Sequence, residues 1–331
     1  MKVYRAIAVV VALLLVLAGT GVGSVQAQTR LSIATGGTGG VYYPYGGGLA
    51  NVLSDNLEDV QVTAEVTAAS VDNMLLIDSG DADMAFVLGD TAYDAVQGNE
   101  PFEEPIDAAA LATLYNNYTH LVTTEGSGIN SVADLEGKRV SVGSPGSGTE
   151  VIANRMLEAA GLDPEEDIDR DQLGAAESAA AIKDRKIDAY FWSGGLPTGS
   201  ITDLGATPNI DLKLVPNADL VSTLQETYGE FYSTAEIPAG TYPGQDEPAE
   251  VVVVPNVLVV PADFDEQLAY DVLRVMFEHQ DELVTVHPEA KNLTLENASR
   301  NSPIPYHPGA IRYYEEQGVE VGGTPAASPA A

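Results

Sequence analysis

Two glycine-rich stretches contain the residue types of this sequence that could hold a ligand. The first runs from Leu31 to Leu53 and carries seven glycines, three tyrosines and a proline between a strand-like and a helix-like segment. The second, "VGSPGSGTE" (Val142 to Glu150), combines glycines with the hydroxyls of Ser144, Ser147 and Thr149. At a helix N-terminus, accessible backbone N–H groups and hydroxyls can bind a carboxylate or a phosphate without any cation. The alternative is that Ser147 or Thr149 only caps the helix that follows.

The first stretch lacks the motifs that nucleotide-binding loops require. A P-loop needs a lysine after its glycines, and the sequence has no lysine between Lys2 and Lys138. The dinucleotide fingerprint G-x-G-x-x-G fails as well, because the third glycine position after Gly37 and Gly39 is Tyr42. The sequence therefore favours a ligand other than a nucleotide at this loop.

A third segment, "YFWSGGLPT" (Tyr190 to Thr198), follows a predicted strand and holds the only tryptophan. Trp192 is by default a core residue with a satisfied N–H, but the glycines and the proline after it favour a pocket wall. Arginine is well suited to grip a carboxylate. Arg139, however, precedes its strand, so we expect it at the end of the strand that lies away from the second glycine-rich loop.

Catalytic and metal-binding patterns are missing from the sequence. It has no G-x-S-x-G elbow and no H-E-x-x-H pair, and its four histidines are scattered without metal-ligand spacing. It also has no cysteine, which excludes disulfides, thiol nucleophiles and thiolate metal sites. We therefore expect no enzyme activity, no cofactor and no metal site.

The charge balance and the first residues indicate where the protein works. Acidic residues outnumber basic ones by 49 to 15, for a net charge of −34, so no basic surface is available for nucleic acid. The acids are spread along the chain, which suits a solvated, halophilic type of surface in a salty medium. Residues 1–27 show a basic start, a short apolar run and a small-x-small end, which are typical of a signal peptide rather than a membrane anchor. We expect an exported, periplasmic protein that is not inserted in the membrane.

The order of predicted elements indicates an α/β protein. Strand and helix patterns alternate, which is typical of parallel sheets flanked by helices. Ser70 is a candidate N-cap and Gly80 a candidate end for one helix. One long helix is predicted from apolar spacing between Leu268 and Leu283, and the apolar run of residues 251–261, interrupted by Pro255, is predicted to be a buried strand. Residues 319–331 are of low complexity and are predicted to be disordered.

Five segments, taken together and in order, resemble the TAXI family, the extracytoplasmic solute receptors of TRAP transporters. They are "IATGGTGGVYYPYGGGLA", "ASVDNMLLIDSGDADMAFV", "DLEGKRVSVGSPGSGTEVIANRMLEAAGL", "IDAYFWSGGLPT" and "YHPGAIRYYEEQG". The resemblance extends from about Leu31 to about Gly318 and so covers nearly all of the chain after the leader.

The resemblance implies a two-lobed periplasmic-binding-protein fold of type II, in which hinge strands join two mostly parallel sheets flanked by helices. Lobe 1 would comprise residues 28–117 and 259–318, and lobe 2 residues 118–258. Such a protein would be a monomeric receptor that captures a small organic anion or an amino acid, such as glutamate, glutamine or a dicarboxylate. It would deliver this solute to the membrane subunits of a TRAP permease. The predicted ligand-binding residues are Gly37, Thr38, Gly39, Tyr42, Tyr43, Asn73, Ser144, Gly146, Ser147, Gly148, Thr149, Phe191, Trp192, Gly195, Leu196, Pro197 and Thr198.

Two other functions remain open at this point. The same lobes would also serve a receptor that feeds a signalling partner. An exported hydrolase or transferase on an α/β sheet would need a nucleophile with a base, which the sequence does not offer. Because the chain has few cations, it favours a monoanion or a zwitterion over a dianion.

Overall fold

The computed structural model describes residues 28–322, which form ten β-strands and eleven α-helices. The strands are β1 (Thr29–Ala34), β2 (Val60–Glu65), β3 (Met84–Leu88), β4 (Ala108–Thr124), β5 (Arg139–Ser141), β6 (Asp169–Asp171), β7 (Ala189–Gly194), β8 (Leu212–Val215), β9 (Ser233–Ile237) and β10 (Ala249–Pro261). The helices are α1 (Tyr42–Asn56), α2 (Ser70–Ser79), α3 (Gly89–Gln97), α4 (Gly148–Ala159), α5 (Ala175–Lys183), α6 (Gly199–Gly205), α7 (Val221–Tyr228), α8 (Glu266–Glu278), α9 (Gln280–Val286), α10 (Leu295–Ala298) and α11 (Pro308–Glu316).

Two lobes are built on strands that run through both of them, which confirms the predicted two-lobed α/β fold. The strand order is β2-β1-β3-β10-β4-β7-β5-β6, with β8 beside β4 and β9 beside β10. Lobe 1 contains β1–β3, α1–α3 and α8–α11 around one apolar core. Lobe 2 contains β5–β9 and α4–α7 around two smaller apolar clusters. In each lobe the first strands pair in parallel, β1 with β2 and β3, and β5 with β6 and β7.

The two long strands β4 and β10 form the hinge between the lobes. They pair antiparallel along most of their length. Along β4, Tyr115 packs in the core of lobe 1 and Leu121 in that of lobe 2. Along β10, Val254 packs in lobe 2 and Val257 in lobe 1. Each hinge strand therefore crosses from one lobe to the other within a few residues.

The predicted buried strand at residues 251–261 is confirmed as part of β10, and Pro255 lies inside it. β10 pairs with β9 over residues 249–253 and with β3 over residues 256–259, always on the side opposite β4. Pro255 lies in the gap between these two partners. There one side of the strand has no paired strand beside it, so a residue without an N–H is tolerated.

Local signals predicted some helix ends correctly and others not. Gly80 ends α2 with φ +74°, as expected for a left-handed cap. The expectation for Ser70 is wrong, because Ala69 is the N-cap and the Ser70 hydroxyl accepts the N–H of Leu88 at the end of β3. The single long helix is also wrong, because His279, at φ −115° and ψ 23°, separates α8 from α9.

The predicted signal peptide and most of the predicted disordered tail lie outside the described residues. Within residues 28–322, no helix is both long and apolar enough to cross a bilayer.

Candidate functional site

A cavity of about 210 Å³ lies between the two lobes. Lobe 1 contributes residues 36–42, 68–70 and Leu88 to its wall. Lobe 2 contributes residues 143–144, 147–149, 173–177 and 192–194. The cavity therefore suits a small solute that both lobes contact.

Four helices begin at this cavity, two from each lobe. The first residues of α1 and α2 line it from lobe 1, and those of α4 and α5 line it from lobe 2. The N–H groups in the first turn of a helix have no carbonyl of their own helix to bind. The aligned peptide dipoles also give this end a partial positive charge. The wall can therefore bind an anionic group through neutral backbone donors.

The start of α4 offers one set of such donors. Ser147 is the N-cap, and its hydroxyl accepts the N–H of Glu150 at 3.1 Å, so the capping interpretation of Ser147 is correct. The next two N–H groups, of Gly148 and Thr149, lie in the first turn and remain available to a ligand. The hydroxyl of Ser144 makes no hydrogen bond to any of residues 28–322 and also borders the cavity.

Close contacts across the cavity depend on glycines. A Cβ on Gly40 would lie 2.7 Å from the indole of Trp192, and one on Gly39 would lie 2.9 Å from the Cβ of Ala176. Both glycines belong to lobe 1, and both partners belong to lobe 2. The Gly39 carbonyl also accepts the N–H of Ser200 in lobe 2 at 3.3 Å. The structure is therefore a closed arrangement in which side chains at these glycines would push the lobes apart.

Tyr42 and Trp192 are the aromatic side chains of the cavity wall. The Trp192 indole N–H donates to the Thr198 hydroxyl at 2.9 Å, which fixes the orientation of the ring. The Tyr42 hydroxyl accepts a hydrogen bond from the Asn256 amide at 2.7 Å, at the hinge. Burial raises the pKa of Tyr42, so the phenol stays neutral.

Among the described residues, no cationic side chain lines the cavity. Among the described residues that line it, only Glu177 carries a formal charge, and it is exposed at the rim. Arg139 lies at the start of β5 as expected, where it pairs with Asp188 on the far side of lobe 2. No group of three or more His, Asp or Glu side chains within residues 28–322 is arranged to hold a metal ion.

The structure brings nine of the seventeen predicted site residues into the cavity wall. These are Gly37, Thr38, Gly39, Tyr42, Ser144, Ser147, Gly148, Thr149 and Trp192. The other eight lie outside the wall, and most of them have a clear structural role.

In lobe 1, Tyr43 and Asn73 lie outside the wall. Tyr43 points to solvent and is 38% exposed. Asn73 is fully buried, and its amide donates to the carbonyls of Thr35 at 2.7 Å and Phe86 at 2.8 Å. It ties the loop after β1 to the middle of β3 and so supports the glycine-rich loop.

In lobe 2, six predicted residues support the wall rather than form it. Gly146 has φ +76°, and its carbonyl accepts the N–H of Asp72 in lobe 1 at 3.1 Å. Phe191 is buried in the core of lobe 2. Gly195 packs on Glu289, whose carboxylate accepts the N–H of Leu196. Pro197 is exposed, and Thr198 anchors Trp192.

Sequence reasoning missed two parts of the wall. One is the loop of residues 173–177 at the start of α5, which offers N–H groups in an alanine-rich stretch without a recognisable motif. The other is the turn of residues 68–70 before α2. The positive φ of Ala69, +85°, is visible only in the structure.

Solved structures with a similar fold share little sequence with this chain. One, a protein from Bordetella bronchiseptica RB50, is 17% identical with a TM-score of 0.51 and matches 87% of this chain and 89% of that one. Another, from Xanthomonas citri and bound to ATP, is 13% identical with a TM-score of 0.50 and matches 87% and 95%. At such identities the likeness concerns the fold alone.

A third structure is the periplasmic aliphatic sulphonate binding protein SsuA from Escherichia coli, 14% identical over 88% of this chain and 80% of that one, with a TM-score of 0.47. The model of one protein family matches residues 33–318, which is most of the sequence. The expectation that the chain is a binding protein and not an enzyme agrees with that family. The chain belongs to the NMT1-like family.

Proposed function

We propose that this protein is an extracytoplasmic solute-binding receptor that closes its two lobes around a small organic anion or an amino acid. The observation that carries the proposal is the cavity between the lobes, at which four helices begin. A ligand that contacts both lobes stabilises the closed form by its preference for that form. No bond of the ligand is made or broken.

The wall supports a monoanion or a zwitterion as the ligand. The N–H groups of Gly148 and Thr149, together with the hydroxyl of Ser144, would hold a carboxylate. A second carboxylate would find no cation in the wall and would face Glu177 at the rim. An ammonium group would be attracted there. Amino acids and monocarboxylates therefore fit better than dicarboxylates.

We place the lobe boundaries within the hinge strands, close to those expected from the sequence. The core contacts change between Tyr115 and Leu121 on β4 and between Val254 and Val257 on β10. The first interval contains the expected boundary at residues 117/118, and the second lies a few residues before the expected one at 258/259. Closure would then be a twist of two paired strands.

The partner we propose is the membrane part of a TRAP-type transporter, because the chain resembles TAXI receptors along nearly its whole length. The monomeric state and the periplasmic location, reached through cleavage of residues 1–27, belong to the same proposal. A receptor for a signalling partner would use the same cleft. Copurification with permease subunits would separate the two roles.

A thermal-shift screen of the purified protein tests the proposal. Amino acids, monocarboxylates and dicarboxylates are added singly, with native mass spectrometry of the protein as isolated. A ligand present at about 100 times its Kd adds about 2.7 kcal/mol to the free energy of unfolding, which raises Tm by roughly 4 °C for a chain of this size. A stabilisation by dicarboxylates alone would overturn the ligand class. The absence of any stabilising solute would overturn the receptor function.

A further inference from the structure

A second contact between the lobes lies outside the cavity and is made of charges. Arg155, on α4 of lobe 2, reaches Asp94 on α3 of lobe 1, with 2.6 Å between Nη2 and Oδ2. Its Nη1 donates to the Tyr232 hydroxyl at 3.0 Å, and that hydroxyl donates to Oδ2 of Asp90 at 3.0 Å. Arg155 Nη1 lies 3.8 Å from the same Asp90 oxygen. We call Asp90, Asp94, Arg155 and Tyr232 the arginine cluster.

The arginine cluster is withdrawn from water. Asp90 and Tyr232 have no exposed surface, Asp94 is 3% exposed and Arg155 is 8% exposed. The guanidinium lies 4.3 Å above the ring of Tyr228, on α7. The remaining titratable groups nearby are Glu158 on α4, which accepts the hydroxyl of Tyr228 at 2.6 Å, and Tyr93 on α3, which packs on Phe231.

Helix α4 carries both the cavity wall and this cluster on the same face. Gly148 at its start packs against Leu88 and Ser70 of lobe 1. Arg155 follows seven residues later, which is close to two helical turns or about 10 Å along the axis. Helix α3 in turn is anchored in the core of lobe 1 through Ala92 and Ala95. The cluster therefore sets how the start of α4 sits against lobe 1.

The charges of the cluster do not balance. Two carboxylates face a single guanidinium, so the buried group carries a net negative charge when both are ionised. Separation of α3 from α4 would admit water, and in water both carboxylates ionise freely. Burial of an uncompensated charge is costly, and binding of a proton removes that cost.

We propose that the arginine cluster positions α4 for ligand capture and that the closed form of the protein holds one more proton than the open form. This inference rests on the lobe closure proposed above and adds that closure is coupled to the uptake of one proton. The direction of the pKa shifts agrees with it. Burial raises the pKa of Asp94 to about 6, an effect that Arg155 opposes and Asp90 reinforces. Burial also raises the pKa of Asp90.

The sign of the pH effect follows from these directions. A carboxyl whose pKa is higher in the closed form binds more protons in that form, so closure becomes more favourable as pH falls. The effect occurs between about pH 6, the raised pKa of Asp94, and the ordinary range of an aspartate near pH 4. Across that window we expect the ratio of closed to open molecules to rise at least tenfold.

The test uses the ligand-free full-length mature chain and two readouts of closure. One is the fluorescence of Trp192, the only tryptophan, whose ring packs on Gly40 of the opposite lobe. The other is the radius of gyration from small-angle X-ray scattering. Both are followed from pH 7.5 to pH 4.5. We expect a shift toward the closed values with a midpoint between pH 5 and 6 in the wild-type protein.

Three variants make the inference specific to the cluster. Asp94→Asn cannot ionise and should lose the transition, whereas Asp188→Asn, which alters the surface pair with Arg139, should keep it. Tyr232→Phe adds no charge and removes a hydrogen-bond donor to Asp90, so it should move the midpoint of the closure transition to higher pH.

An unchanged midpoint of closure in both Asp94→Asn and Tyr232→Phe would overturn the inference, as would a wild-type protein whose closure does not depend on pH. Because no ligand is present, neither result depends on whether the proposed solute is correct.

Discussion

The cavity wall and the arginine cluster join the same two lobes through the same helix, yet their chemistry is opposite. At the cavity, α4 meets lobe 1 with backbone N–H groups, hydroxyls and the hydrogen of Gly148 in place of a side chain. Two turns later, Arg155 meets Asp90 and Asp94 with full charges that are almost completely buried. At the cavity wall, α4 contributes no charged side chain, so the charge comes from the ligand. In the arginine cluster, the protein contributes both the positive and the negative charges.

The difference indicates a separation of tasks along α4. A buried charge left without its partner is strongly destabilising, so the arginine cluster tolerates little change. Neutral donors at a helix start bind an anion without such a penalty when the anion leaves. In the closed form the cluster therefore fixes how the lobes meet, whether or not a ligand occupies the cavity.

The largest effect should come from Arg155→Met. This change leaves Asp90 and Asp94 buried without a cation, and we expect the free energy of unfolding to fall by about 3–5 kcal/mol. Urea denaturation followed by circular dichroism measures it. Arg312→Met is the control, since Arg312 pairs with Glu266 on the surface and its loss should cost less than about 1 kcal/mol. Equal losses in the two variants would show that the cluster is no stronger than a surface pair.

A smaller effect on stability but a large one on binding is expected from Gly40→Ala. The added Cβ would lie 2.7 Å from Trp192 and so oppose closure. We expect at least a tenfold loss of affinity, by calorimetry, for the solute identified in the thermal-shift screen. Gly47→Ala, at a site in α1 with no atom within 4 Å of the new Cβ, should leave affinity unchanged. It should also raise stability by roughly 0.5–1 kcal/mol. Unchanged affinity in Gly40→Ala would mean that binding does not need this closed arrangement.

The smallest effect is expected from Ser144→Ala. Loss of one neutral hydrogen bond to the ligand corresponds to about 0.5–1.5 kcal/mol, or roughly a twofold to tenfold fall in affinity. Tm without ligand should not change. Ser141→Ala gives the reverse comparison, because the Ser141 hydroxyl lies 2.9 Å from that of Ser178 inside lobe 2. That variant should lower Tm and spare affinity.

The sequence predicted the cavity better where the signal was local. The glycines at 37 and 39 and the loop from Ser144 to Thr149 were identified because each sits between a strand and a helix start. Thr198 is among the predicted residues because the resemblance to TAXI receptors implies a binding loop at residues 191–198, and its hydroxyl accepts the indole N–H of Trp192. The start of α5 was missed because alanine and glycine reveal nothing about where their N–H groups point.

The arginine cluster could not be predicted in the same way. Arg155 and Asp94 are 61 positions apart and lie on different lobes. In a chain with 49 acidic residues, no pattern singles out the two aspartates that are buried. The break between α8 and α9 could not be predicted either. The apolar spacing continues across His279, whereas the helical backbone conformation is interrupted there.

The hinge also determines how the molecule comes apart. β4 and β10 each supply strands to both lobes and bond to each other along most of their length. If one lobe lost its structure, the shared central strands β4 and β10 would lose their strand partners in that lobe and expose the side chain packed there, Val254 in lobe 2 or Val257 in lobe 1. The lobes can therefore move relative to each other, but we expect them to unfold together. A calorimetric scan of the protein should show a single cooperative transition whose van't Hoff and calorimetric enthalpies agree.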